Sequence, residues 1–242
     1  MYSVFKRELF SFLNSLMAYI TIGVFLVACA LLLWFFPETS ILDYGYAEMN
    51  GFFNLVPFLF IFLVPAISMR SFAEERKEGT YVLLATRPLS DWQILLAKYF
   101  ACVVLVLFAL LPTLVYYYSI YQLGLPKGNI DTGAVLGSYI GLFLLGSAFA
   151  AVGVFASSLT KNQVVAFALA VFLCFFTFSG LESMSKLFEL DNFGTVLINL
   201  GIAEHYQSMS RGVLDTRDLV YFVSFIALFL NLTRWILGGR KW

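Results

Sequence analysis

Long apolar runs alternate with short polar ones along this chain, and the runs have the length of a bilayer crossing. Six approach the roughly 20 residues that a helix needs to span the hydrocarbon core: Leu16 to Phe36, Phe52 to Met69, Tyr99 to Tyr121, Ala134 to Ser157, Val164 to Leu181 and Leu219 to Leu237. Their only charge is Arg234, near enough to the end of the sixth run for its long stem to carry the guanidinium to the interface. Backbone groups in lipid must be hydrogen-bonded within their own segment, so each run is expected to be a helix. Ahead of them, Val4, Phe5, Leu9, Phe12 and Leu13 recur at helical spacing around Lys6, Arg7 and Glu8. That pattern suits a helix lying in the membrane interface and equally an extension of the first span. The expected fold is all-α: one polytopic domain over residues 1–242 with six transmembrane helices and an interfacial N-terminal helix.

Prolines and glycines modulate these spans. Pro57 and Pro65 in the second and Pro112 in the third are expected to bend or locally unwind their helices. Gly133, Gly137 and Gly141 recur every four residues and make a smooth ridge, suited to packing within the bundle or against another subunit. Ionisable groups are absent from the middle of every run, which argues against proton- or ion-coupled carriage.

Composition agrees with a lipid environment: 61% of residues are hydrophobic and 12% charged, against about 45–50% and about 25% in soluble domains. With the N-terminus inside, Lys6, Arg7, Arg70, Arg76, Lys77, Arg87, Lys98, Lys161, Arg234, Arg240 and Lys241 fall on the inner side, and Lys127, Lys186, Arg211 and Arg217 on the outer. Eleven against four satisfies the positive-inside rule, and the first outer loop, with Glu38, Asp43 and Glu48, has no basic residue. Both termini are therefore expected in the cytoplasm. A net charge of zero suggests no nucleic-acid partner.

Signals for chemistry are sparse. Lys6 and Arg7 before an apolar run, with Leu26-Val27-Ala28-Cys29, resemble a lipoprotein signal, but Leu31 to Phe36 continues as membrane span instead of a polar mature start. Cys29, Cys102 and Cys174 all fall in expected spans, which gives a disulfide framework or a thiolate metal site little support. The single histidine, His205, excludes paired-histidine zinc motifs and reads as a packing residue, with catalysis alongside a nearby serine as the alternative. No phosphate-binding G-x-x-x-x-G-K-[ST] occurs, so the chain is not expected to hydrolyse ATP by itself, and no cofactor is expected.

One polar stretch stands out. Between Arg70 and Lys98 lie nine of the chain's thirty charged residues, the place where an aqueous partner could push on a lipid-soluble protein. Ser71-Phe72-Ala73-Glu74 and Ser90-Asp91-Trp92-Gln93 each fit a capping box, in which side chains and free N–H groups at a helix start pair reciprocally, while Gly79 and Pro88 punctuate the interval. A short helix, a turn and a second helix leading into the third span are expected.

Phe72 to Tyr81, followed by Leu83 to Ser90 and Gln93-Ile94, resembles the cytoplasmic loop after the second span of ABC-2 type transporter permeases. In that family the loop holds a coupling helix that docks on a separate ATPase. The resemblance implies that Glu74, Glu75, Arg76, Gly79 and Thr80 lie at or near that contact, and that the chain is a non-enzymatic transporter subunit. Residues 205–222 and the closing Arg240-Lys241-Trp242 are similar to the gliding motility-associated ABC permease subunit of Bacteroidetes, although Tyr206 stands where phenylalanine is usual. This implies an inner-membrane location, an ABC ATPase subunit and a second permease-like subunit (homo- or heterodimer) with a possible periplasmic portion, besides contact with membrane lipid. A membrane scaffold or assembly factor that transmits ATPase-driven force without moving a substrate is the alternative. The outer segment from Glu182 to Asp218 carries an apolar stretch, Phe193, Val196, Leu197, Leu200 and Ile202, suited to a re-entrant helix or to an amphipathic surface helix.

Overall fold

The computed structural model describes residues 1–36, 40–41, 47–80, 90–186 and 192–239, which are helical with no strand among them. Glu38, Asp43, Arg87, Pro88 and the closing Arg240-Lys241-Trp242 lie outside the described residues, as does the Phe193 side chain.

Helix α1 (Tyr2–Leu13) ends at Asn14, and α2 (Leu16–Trp34) starts anew after an extended Ser15. The N-terminal segment is thus a separate helix, not an extension of the first span. Its buried stripe is Val4, Glu8 and Phe12, one residue per turn, turned toward α5 (Asp91–Leu110). The second span comprises α3 (Asn50–Ser68) and, beyond Met69, α4 (Arg70–Lys77). The third runs from α5 through a 3₁₀ turn at Leu111–Thr113 into α6 (Leu114–Leu123). Pro112 sits in that turn, so the expected local disturbance is there, while the helix runs unbroken through Pro57 and Pro65.

Helix α7 (Thr132–Leu159) is the axis of the bundle, packing on α3, α4, α5, α8 (Gln163–Phe175), α11 (Ile202–Ser210) and α12 (Thr216–Gly238). Apolar burial does not drive helices together in lipid, so close approach must supply the packing energy. Small residues permit it: a Cβ on Gly153 would fall 1.8 Å from Ser68 Oγ, and one on Gly146 2.6 Å from Val106. The glycine ridge serves contacts within the chain, Gly137 against Gly212 and Gly141 against Met209. Gly212 itself turns the backbone at φ +83° directly over Ala134, where any side chain would collide.

After a π-helical turn at Phe176–Gly180 come α9 (Leu181–Ser185), α10 (Asn192–Leu200) and α11. Leu197 and Ile202 are buried whereas Val196 and Leu200 are exposed, so the apolar stretch forms two amphipathic helices with Gly201 between them. Among the described residues, six helical segments have the length and hydropathy of membrane spans: Leu16–Trp34, Asn50–Lys77, Asp91–Leu123, Thr132–Leu159, Gln163–Ser185 and Thr216–Gly238. The chain is an all-α polytopic membrane protein.

Candidate functional site

The charged stretch folds as two helices of different origin. At Ser90 the capping box forms as its sequence spells: the Ser90 hydroxyl accepts from the Gln93 N–H and the Gln93 side chain accepts from the Ser90 N–H. At Ser71 it does not. There α4 continues from α3 with only Met69 between them, and Met69 is already helical in conformation and offers no side-chain cap. Ser71 is buried, its hydroxyl 3.4 Å from Cys102 Sγ.

A residue from another helix repairs the junction instead. Ser157 of α7 donates to the Met69 carbonyl (2.9 Å) and accepts from the N–H groups of Phe72 (2.9 Å) and Ala73 (3.1 Å). One turn further on, Arg76 donates to the Ser158 carbonyl. Three bonds on one hydroxyl, all to groups that a helix break leaves without intrahelical partners, fix the direction in which α4 leaves α3.

The opposite flank of α4 is held by charge. Lys98, 1% exposed at its side chain, lies 3.2 Å from Glu8 and 3.0 Å from Glu75, and donates to the Ser71 carbonyl at 2.6 Å. Its ammonium also sits 5.2 Å from the Phe72 ring centroid. The Lys98–Glu75 contact is electrostatic, since Glu75 Oε2 has no aligned hydrogen bond. Arg7 closes the ring, donating to Glu8 at 2.7 Å and Glu75 at 2.6 Å. Partial burial pulls the Arg7 pKa down, but the bonds and charges of Glu8 and Glu75 more than offset this and leave it above its ordinary value. Arg70 donates to Ser15 Oγ at 2.8 Å. Between α1 and α4, Arg7, Glu8, Ser15, Arg70 and Glu75 line a polar cleft of about 480 Å³.

The five residues singled out from the sequence therefore occupy two environments. Glu75 and Arg76 are half-buried and bonded to other helices, and Glu74 is half-buried beside them on the cleft. Gly79 and Thr80 are exposed together with Lys77 and Glu78, and Gly79 turns the chain at φ +73°, which favours glycine. Tyr81 to Leu89, the remainder of that motif, lies outside the described residues. Sequence reasoning missed Lys98, Glu8, Ser157 and Ser158. A lysine at the edge of an apolar run was the available signal; Glu8, read as lying among the polar positions of α1, and the serines gave none.

Away from this cluster, His205 Nδ1 is 2.7 Å from Asp218 Oδ1, Nε2 is 3.0 Å from the Asn199 carbonyl, and the ring stacks on Tyr221 at 3.8 Å. Ser208 donates to the other oxygen of Asp218, not to the imidazole. A relay from serine to histidine is absent among these residues, and the group ties α10, α11 and α12 together. Tyr206, buried and held well above the ordinary phenol range by that burial, donates to the Phe53 carbonyl at 2.7 Å. Phe53 lies four residues before Pro57, which has no N–H to offer it, so the tyrosine hydroxyl replaces the missing helix bond.

The fold and this cluster define a multi-pass helical membrane protein with a charged helical projection anchored in its bundle. The family model described as ABC-2 family transporter protein matches residues 37–201, more than two thirds of the chain. The protein belongs to that family. No curated protein matches it.

Proposed function

We propose that this chain is the permease subunit of an ATP-driven transporter and that α4 is the lever through which a separate ATPase drives it. The observation that carries this reading is the anchoring of α4. A helix of eight residues is bonded to α1 by Arg7, to the cap residue at the start of α2 by Ser15, to α5 by Lys98 and to α7 by Ser157 and Ser158. Its far end, Lys77 to Thr80, is exposed. Force applied at that end reaches four helices at once, as coupling requires.

In this reading the exposed turn docks on the ATPase, with Glu74, Glu75, Arg76, Gly79 and Thr80 at or beside the contact and Glu75 and Arg76 transmitting it inward. Two permease subunits, alike or related, work with two ATPase chains in the inner membrane with both termini in the cytoplasm, and ATP-driven closure tilts α4. The charge asymmetry of the loops supports this orientation. The similarity of residues 205–222 to gliding motility-associated permeases supports a role there, beside a second membrane subunit with a periplasmic portion. Co-purification from native membranes tests the reading: an ATP-binding chain is expected with the wild-type protein and is lost in K77E/E78K at unchanged membrane abundance.

A further inference from the structure

His205 is the single histidine of the chain, and both of its ring nitrogens face oxygen acceptors. Nδ1 meets Asp218 Oδ1 at 2.7 Å and Nε2 meets the Asn199 carbonyl at 3.0 Å. A neutral imidazole has one N–H and one lone pair and can serve only one of these acceptors, whereas the imidazolium, with two N–H groups, serves both. The surroundings suit the charged form. Ser208 donates to the other oxygen of Asp218, a bond that favours the carboxylate, and Tyr221, stacked on the imidazole at 3.8 Å, offers an aromatic face to a cation. Asn199 stands one residue before the end of α10, where carbonyls lack intrahelical partners and the helix dipole attracts positive charge.

Loss of the second proton acts on α10 alone. The N–H that remains goes to the carboxylate, the stronger acceptor. That leaves the Nε2 lone pair 3.0 Å from the Asn199 carbonyl, two acceptors with no hydrogen between them. The bond from α11 to α12 survives the change and the bond from α11 to α10 does not. What still holds the end of α10 is Tyr221, donating to the Leu200 carbonyl at 2.6 Å, and the buried Leu197; Val196, Asn199 and Leu200 are exposed. Side-chain exposures of 20% for His205 and 11% for Asp218 leave the pair within reach of water, so the proton can exchange.

No other charge competes for the ring. Among the described residues Asp218 is the one charged group within ion-pair distance of it. Glu204 and Arg211 of the α11 segment and Asp215 and Arg217 at the start of α12 make no ion pair with it, and Glu182 and Lys186 pair with each other. The other elements packed on α11, namely α3, α7 and the π turn, contain no charged residue.

We propose that His205 is a proton-operated latch on α10. Doubly protonated, it pins the C-terminal end of α10 to α11 and α12, and it releases that end as pH rises through the range between pH 5 and 8 in which histidine ordinarily changes charge. The latch depends neither on the ATPase reading nor on the orientation of the chain in the membrane.

The test uses the untagged full-length chain in lipid nanodiscs. With one histidine present, 15N-labelled histidine reports a single imidazole by NMR, and hydrogen–deuterium exchange, corrected for the intrinsic pH dependence of amide exchange, reports α10 against α7 as internal reference. Two protonated ring nitrogens are expected at pH 5 and one, Nδ1, at pH 8. Protection of α10 should fall with the same midpoint by about tenfold or more, the worth of a hydrogen bond to a charged group. His205→Ala should leave α10 weakly protected at both pH values. Should that variant fail to fold, Tyr221→Phe, which keeps the imidazole, should lower the protection of α10 and retain its pH dependence. Protection of α10 that stays level while the imidazole titrates, an imidazole with one N–H already at pH 5, or an undiminished pH dependence in His205→Ala would overturn the proposal.

Discussion

Single side chains decide how α4 and the spans are held. Lys98 is a buried cation whose neighbours Glu8 and Glu75 are themselves largely buried. Removing one partner from such a cluster leaves uncompensated charge, a loss of about 3–5 kcal/mol. Lys98→Met is therefore expected to lower stability by about 3 kcal/mol in detergent-titrated unfolding, with Glu8→Gln losing less; equal stability of K98M and wild type would show that the cluster holds nothing. Tyr206→Phe leaves the Phe53 carbonyl without a partner in a buried setting, a loss of about 1–3 kcal/mol, and Pro57→Ala, which restores an N–H to that carbonyl, should recover part of it. Asp215 caps α12 by accepting from the Arg217 N–H at 2.9 Å, and that bond holds its pKa below the usual carboxylate value. The folded value being the lower one, this stability is present above the unfolded pKa and lost as pH falls through the folded one. Thermal midpoints of wild type and D215A should accordingly converge in acid and separate toward neutrality.

At the scale of elements, the two capping-box sequences fell out differently for a reason visible in their partners. Ser90 and Gln93 are three residues apart and complete their box locally, so that helix start was legible. Ser71 has the same local spelling, but its helix runs on from α3, and the break is repaired by Ser157, 85 residues from Phe72. No short-range pattern carries a partner at that distance. The spans themselves were legible because length and hydropathy are local properties, and α1 was readable from its periodicity, though not that Glu8 lies on its buried stripe. These differences predict separable defects. Ser157→Ala removes the three bonds that aim α4 while leaving Lys77 to Thr80 intact, so ATPase binding should persist while its stimulation by the permease falls severalfold. K77E/E78K should lose binding itself. Identical behaviour of the two variants would argue against α4 as a lever.

For the whole molecule, every charged anchor of α4 lies at one end of the bundle, with Arg234 stacked 5.2 Å from Trp92 near the start of α5. In the proposed orientation that end faces the cytoplasm. Single cysteines at Thr80 and Lys161, in a background lacking Cys29, Cys102 and Cys174, should resist an impermeant thiol reagent, while those at Glu48, Lys127 and Asp215 should react. Purified alone, the chain should neither hydrolyse ATP nor dissipate a proton gradient in liposomes. The most direct measurement places a photo-reactive amino acid at Thr80 in native membranes, with one at Leu125 on the α6–α7 connection as control. An ATP-binding chain cross-linked from Thr80 and not from Leu125 is the predicted result; capture of an ATP-binding chain from Leu125 alone, or of none from Thr80, would contradict the account.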